Sequence, residues 1–127
     1  VPIGGGDGWD SPDMVKVAGA DALNNTYFTN HYSVEDPDPT IQAFVKAYQD
    51  KYNKLPDSFA ALGYDSAKLL AKAIENAGDA DPVKIKEALA NMKDFKGITG
   101  TMSINAQHNP IKKIVVIEYK DGKLISR

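Results

Sequence analysis

An α/β fold, incomplete within this chain, is predicted by three features of the 127-residue sequence. A short apolar start runs into glycines and then into a capped helix. The middle carries apolar residues at helical spacing. The last third changes to alternating or continuous β-branched runs. The resulting order is strand, helix, strand, three helices, then several strands, which is α/β in class. The first strand and first helix have too few neighbours to bury both faces. The expectation is therefore that further sequence precedes Val1.

The elements follow from local chemistry. Val1–Ile3 reads as the end of a strand, followed by Gly4-Gly5-Gly6. Ser11, Pro12 and Asp13 supply a hydroxyl N-cap, a proline at the first helical position and an acid in the first turn. Met14, Val15, Val17 and Ala18 give that helix an apolar face, and 19–25 ends it. Thr26–Tyr32 is rich in β-branched and aromatic residues and reads as a strand. Asp38-Pro39 starts a helix carrying Ile41, Phe44, Val45, Tyr48 and Tyr52, and residues 53–56 interrupt it. Asp57 or Ser58 opens the strongest helix, whose stripe includes Leu62, Leu69, Leu70, Ala73, Ile74 and Ala77, with Gly78 as its terminating glycine. Asp81-Pro82 repeats the cap-then-proline device ahead of Ile85, Ala88, Leu89 and Met92. Residues 100–104 and 111–119 read as strands around a polar loop. Asp121-Gly122 suits a tight hairpin turn closed by Leu124-Ile125.

Composition narrows the function classes. Hydrophobic residues make up 43% and charged residues 25%, values that support a packed core. A net charge of -2 supplies no basic field for nucleic acid or anionic lipid. No apolar run approaches the roughly 20 residues of a membrane helix. The absence of cysteine excludes disulfides, thiolate metal sites and Cys nucleophiles. Asp7, Asp10 and Asp13 lack the alternating spacing of a calcium loop, and Gly4–Gly8 lacks the Gly-Lys-Ser/Thr of a phosphate loop. His31 and His108 have no second histidine at metal spacing. Ser11 reads as a cap, not a nucleophile. A small hydrolase-like enzyme would need a nucleophile elbow that the sequence lacks. The expectation is a chain without catalytic residues, metal or cofactor.

The most informative stretch runs from Pro2 to Pro12, where a strand ends, an acid sits between glycines and a helix begins. In open α/β sheets ligands bind beyond strand ends. Asp7 stands where its carboxylate can meet an ammonium group through charge-assisted hydrogen bonds. The plain alternative is a turn acid flanked by glycines for backbone reasons.

Gly5-Gly6-Asp7-Gly8-Trp9 after a short strand resembles the corresponding loop of periplasmic Leu/Ile/Val-binding proteins. The resemblance continues in order through residues 26–29, 43–48, 59–67 and 95–100 and covers nearly the whole chain. It implies a type I periplasmic-binding-protein fold: two doubly wound α/β lobes joined by three crossing segments, with ligand held between them. Residues 1–29 would then be a terminal segment of the second lobe. Residues 30–117 would belong to the first lobe with crossings at both ends, near 29–32 and 116–119. Residues 118–127 would return to the second lobe. The majority of the protein, with the groups that bind the ligand's carboxylate, would precede Val1.

The resemblance further implies an extracytoplasmic solute-binding component of an ABC importer for branched-chain or related amino acids, in the periplasm or as a cell-surface lipoprotein. A membrane permease would be its partner. A ligand-sensing receptor domain on the same fold, binding an amino acid or amide, is the alternative. Asp7 corresponds to the acid that takes the α-ammonium, although some relatives carry the longer Glu there. Phe59 corresponds to a side-chain pocket position, or else packs at a helix start. Trp9 covers the ligand or packs on the lobe surface. Asp65, within the family-like Gly-Tyr-Asp segment, serves a hinge or pairs with a lysine. Half a cleft should self-associate or pair with the preceding part of the protein.

Overall fold

The computed structural model describes residues 1–127, and its backbone forms two compact units. The first comprises residues 1–60 and 114–127, and the second comprises residues 61–113.

In the first unit a four-stranded mixed sheet has the order β1 (Ile3–Gly5), β2 (Thr26–Asn30), β6 (Val115–Lys120), β7 (Lys123–Ser126). β1 and β2 are parallel, with Gly5 opposite Phe28. β2 and β6 are antiparallel, with Phe28 opposite Ile117 and Thr26 opposite Tyr119. Strand alternation turns Thr26, Phe28 and Asn30 inward, while Thr29 faces solvent. Phe28, Ile117, Tyr119 and Leu23 form the core, with the Phe28 and Tyr119 rings 5.5 Å apart. Between β1 and β2 the chain makes helices α1 (Pro12–Ala18) and α2 (Ala20–Leu23). Ser11 Oγ accepts from Asp13 N at 3.2 Å, so the predicted cap is formed. α3 (Pro39–Tyr52) starts from Asp38, whose carboxylate accepts from Thr40 N at 2.7 Å. The edge of its Phe44 ring packs against buried Tyr32. Asp121 and Gly122 both have positive φ (51° and 74°), which the tight β6–β7 turn requires.

α4 (Ser58–Ala77) begins at the end of the first unit's residues and continues into the second. The second unit holds α5 (Pro82–Ala90), capped by Asp81, and a small antiparallel sheet of β3 (Phe95–Gly97), β4 (Gly100–Ile104) and β5 (Pro110–Ile111). Asp65 of α4 is 3% exposed and serves the β3–β4 turn. Its carboxylate accepts from Ile98 N (2.7 Å), Thr99 N (2.8 Å) and Thr99 Oγ1 (2.7 Å).

Two local expectations change and one strand was not expected. The glycine run is partly strand, since β1 extends through Gly5. β3, which the sequence reading did not mark, is too short to show a period. The single strand expected over residues 111–119 is two: Ile111 pairs with β4, while Val115–Lys120 pairs with β2 and β7. One β-branched run thus serves two sheets, and hydropathy alone does not mark where the pairing changes.

Candidate functional site

β1 and β2 run parallel, so the residues that follow them emerge at the same edge of the sheet. After β1 the chain makes one 3-10 turn, Asp7–Trp9, in which Trp9 N–H donates to Gly6 O at 3.1 Å and Asp10 N–H to Asp7 O at 3.0 Å. The turn folds the Trp9 indole back over Gly5, where an added β-carbon would overlap the ring. Glycine is therefore required at position 5 by close approach, not by its backbone angles. The indole packs against the Phe28–Tyr119 core, and the Tyr119 hydroxyl donates to Trp9 O at 2.6 Å.

The same turn displays Asp7, whose side chain is 46% exposed. After β2 comes His31. Its Nε2 lies 3.0 Å from Asp7 Oδ2, and its side chain is 27% exposed. His31 N–H donates to Asn30 Oδ1 at 2.8 Å, and Asn30 Nδ2 donates to Asp10 Oδ2 at 3.1 Å. Asp10 Oδ2 also accepts from Ser58 N at 2.7 Å, at the start of α4. A continuous polar string therefore runs from Asp7 through His31, Asn30 and Asp10 to Ser58.

Two buried phenols, Tyr32 and Tyr119, feel the charge of Asp10 in this string. Burial pushes the Tyr32 phenol above its ordinary range, with the negative charges of Asp10 and Asp57 adding to the effect. Tyr119 is raised too, first by burial and then by Asp10. Both therefore stay protonated donors at neutral pH, Tyr32 toward Pro56 O at 2.5 Å and Tyr119 toward Trp9 O.

Among the residues singled out from sequence, Asp7 stands at the strand edge with part of its carboxylate open to solvent. Trp9 is turned to the core. Phe59, second residue of α4, is 59% exposed. An apolar groove of about 400 Å³ lies between Val15, Leu55, Pro56 and Leu124, with Asp10 on its wall; Asp7 and Phe59 do not line it. Sequence reasoning weighed His31 and Asp10 only as metal ligands and missed their roles beside Asp7. The signal was topological: two parallel strands put Asp7 and His31 together across 24 positions. No group of three or more acidic or His side chains is arranged to hold a metal ion, and no helix is long and apolar enough to cross a membrane. Chemically, the edge presents a carboxylate with one oxygen engaged by an imidazole, an arrangement suited to a cationic ligand group.

Comparison with known proteins bears on the family and the fold. Residues 1–123 match the periplasmic binding protein family. A leucine-, isoleucine-, valine-, threonine- and alanine-binding protein of Pseudomonas aeruginosa is 31% identical over 101 residues, 80% of this chain and 26% of that protein. A Leu/Ile/Val-binding protein homolog of Brucella abortus is 28% identical over 83% of this chain and 28% of its own length. The chain thus spans little more than a quarter of these relatives. Among solved structures, a leucine-binding protein of Thermotoga maritima superposes with a TM-score of 0.87 at 36% identity, covering 98% of this chain and 36% of that one. A branched-chain amino acid transporter substrate-binding protein of Streptococcus pneumoniae, in complex with isoleucine, gives 0.85 at 37% identity, covering 99% and 37%. The mixed α/β fold is that of part of a type I periplasmic binding protein. On the family match and these superpositions together, the chain belongs to the periplasmic binding protein family.

Proposed function

We propose that the chain is the C-terminal part of an extracytoplasmic solute-binding component of an ABC importer for branched-chain or related amino acids. The single observation that carries the reading is the half-exposed Asp7 carboxylate at the shared edge of β1 and β2, next to His31. A carboxylate in that place, with one oxygen still open, gives an α-ammonium a charge-assisted partner. The names of the P. aeruginosa and S. pneumoniae relatives, which specify aliphatic amino acids, support the same ligand class.

In this reading residues 1–29 and 118–127 belong to one lobe and residues 30–117 to the other. The lobes close on the ligand because it binds the closed state more tightly. Phe59, an exposed apolar ring, faces the aliphatic side chain, and Trp9 stiffens the loop that carries Asp7. The role is binding and delivery to a membrane permease, not catalysis. β1 has β2 as its single strand neighbour, so its open edge pairs with the preceding part of the protein, or with a second copy when that part is absent.

Calorimetry on the intact protein tests the assignment. Asp7→Ala is expected to weaken leucine binding roughly 30-fold or more, the usual cost of removing one partner of a desolvated charge pair. Two solute-binding proteins of Rhodopseudomonas palustris on the same fold were solved with benzoate and 3,4-dihydroxybenzoic acid, which carry no ammonium. The Asp7 charge repels such anions, so leucine is expected to bind and benzoate not. Unchanged leucine affinity in Asp7→Ala, or preferential benzoate binding, would overturn the reading.

A further inference from the structure

We propose that His31 is a positioning residue for the ammonium site, fixing the Asp7 carboxylate so that one oxygen is held and the other is presented to the ligand. The inference rests on the reading of Asp7 as the ammonium partner and adds a determinant of specificity for amine-bearing ligands.

The geometry assigns the imidazole its tautomer. An ionised carboxylate only accepts hydrogen bonds, so the short contact from Nε2 to Asp7 Oδ2 places the hydrogen on Nε2. Nδ1 is buried and has no hydrogen-bond partner. A hydrogen on Nδ1 would be a buried donor without an acceptor, costlier than a buried lone pair. Donating from Nε2, His31 holds one oxygen of Asp7 and leaves the other for the ligand's ammonium.

The main chain that carries the imidazole is braced. Asn30 is 4% exposed, and its side-chain amide is used at both ends, its oxygen by His31 N–H and its nitrogen by Asp10. Asp10 is in turn held by Ser58 N–H. The His31 main chain is therefore set before ligand arrives, and from it the ring reaches Asp7. Without the imidazole, the half-exposed carboxylate samples several rotamers and must be ordered on binding. Such ordering weakens affinity by about 2- to 10-fold.

The test is displacement calorimetry of leucine on the intact protein, with thermal melts confirming that each variant is folded. His31→Ala is expected to lower leucine affinity by about 2- to 10-fold. His31→Gln, whose amide nitrogen reaches about as far as Nε2, is expected to restore it. In an Asp7→Ala background, His31→Ala is expected to cost nothing further, because its effect passes through the carboxylate. If Asp7→Ala weakens binding while His31→Ala does not, the positioning role is wrong and the ammonium site stands. If His31→Ala weakens leucine binding equally with and without Asp7, or if Gln does not rescue, His31 is only structural. If Asp7→Ala itself has no effect, the underlying site reading has failed and this inference falls with it.

Discussion

A single carboxylate can organise a turn that no local signal would form, and Asp65 does so. It is 3% exposed and accepts three hydrogen bonds from two consecutive residues, Ile98 and Thr99, in the two-residue connection between β3 and β4. Removing it leaves those donors buried without an acceptor, at a cost of about 1–3 kcal/mol for each left unmade. Asp65→Ala is expected to lower stability by about 3 kcal/mol, allowing for water entering the gap. Asp65→Asn should recover little, because its NH2 group would face donors. Urea denaturation checks both; a midpoint unchanged by Asp65→Ala would show that the turn holds without the acid. At this scale the sequence was partly legible. The place of Asp7 at a strand end was legible from its flanking glycines and the strand before it. His31, Asn30 and Asp10 did not, because their chemistry depends on β1 and β2 lying side by side. Asp65 stood in a recognisable segment, but the loop amides it serves lie more than 30 positions away.

Among the elements, helix starts were the most readable features. Ser11-Pro12, Asp38-Pro39 and Asp81-Pro82 each place an acceptor ahead of a proline, and each side chain caps the helix that follows. α4 is capped differently. Asp57 Oδ1 accepts from Ala60 N at 2.8 Å, while Ser58 N–H is taken by Asp10 from the distant glycine loop. The local cap anchors the helix to itself, and the remote one ties its start to the loop that carries Asp7. Asp57→Ala is expected to cost about 1 kcal/mol, and Asp57→Ser to be nearly neutral, since serine caps about as well. Melting temperatures of the two variants decide the point, and equal losses would refute the capping role. Strands were less readable than helices. β3 is three residues long, and the run from Ile111 to Ile117 divides between two sheets. Side-chain pattern reports which face is apolar, not which strand is the neighbour.

For the molecule as a whole, the decisive quantity is how much of a binding site these 127 residues contain. The chain spans 26–28% of the two curated relatives compared, and the one charged contact proposed for it is a carboxylate 46% open to solvent. An exposed ion pair contributes at most about 1 kcal/mol. Association costs at least about 4 kcal/mol in lost translational and rotational freedom. A zwitterion also has a carboxylate to satisfy, and Asp7 repels it. Burying an aliphatic side chain would contribute about 1.5–3 kcal/mol, but only if apolar groups enclosed it; Phe59 offers a single exposed ring. The sum leaves little net affinity. The 127-residue chain alone is therefore expected to bind leucine with a Kd of about 1 mM or weaker, equivalent to about 4 kcal/mol or less. Titration of leucine into 15N-labelled chain measures it directly, and any weak shifts should centre on Asp7 and Gly8. Saturable binding at micromolar leucine would mean that the chain encloses its ligand unaided, and the proposal of a second wall supplied by preceding sequence would have to be abandoned.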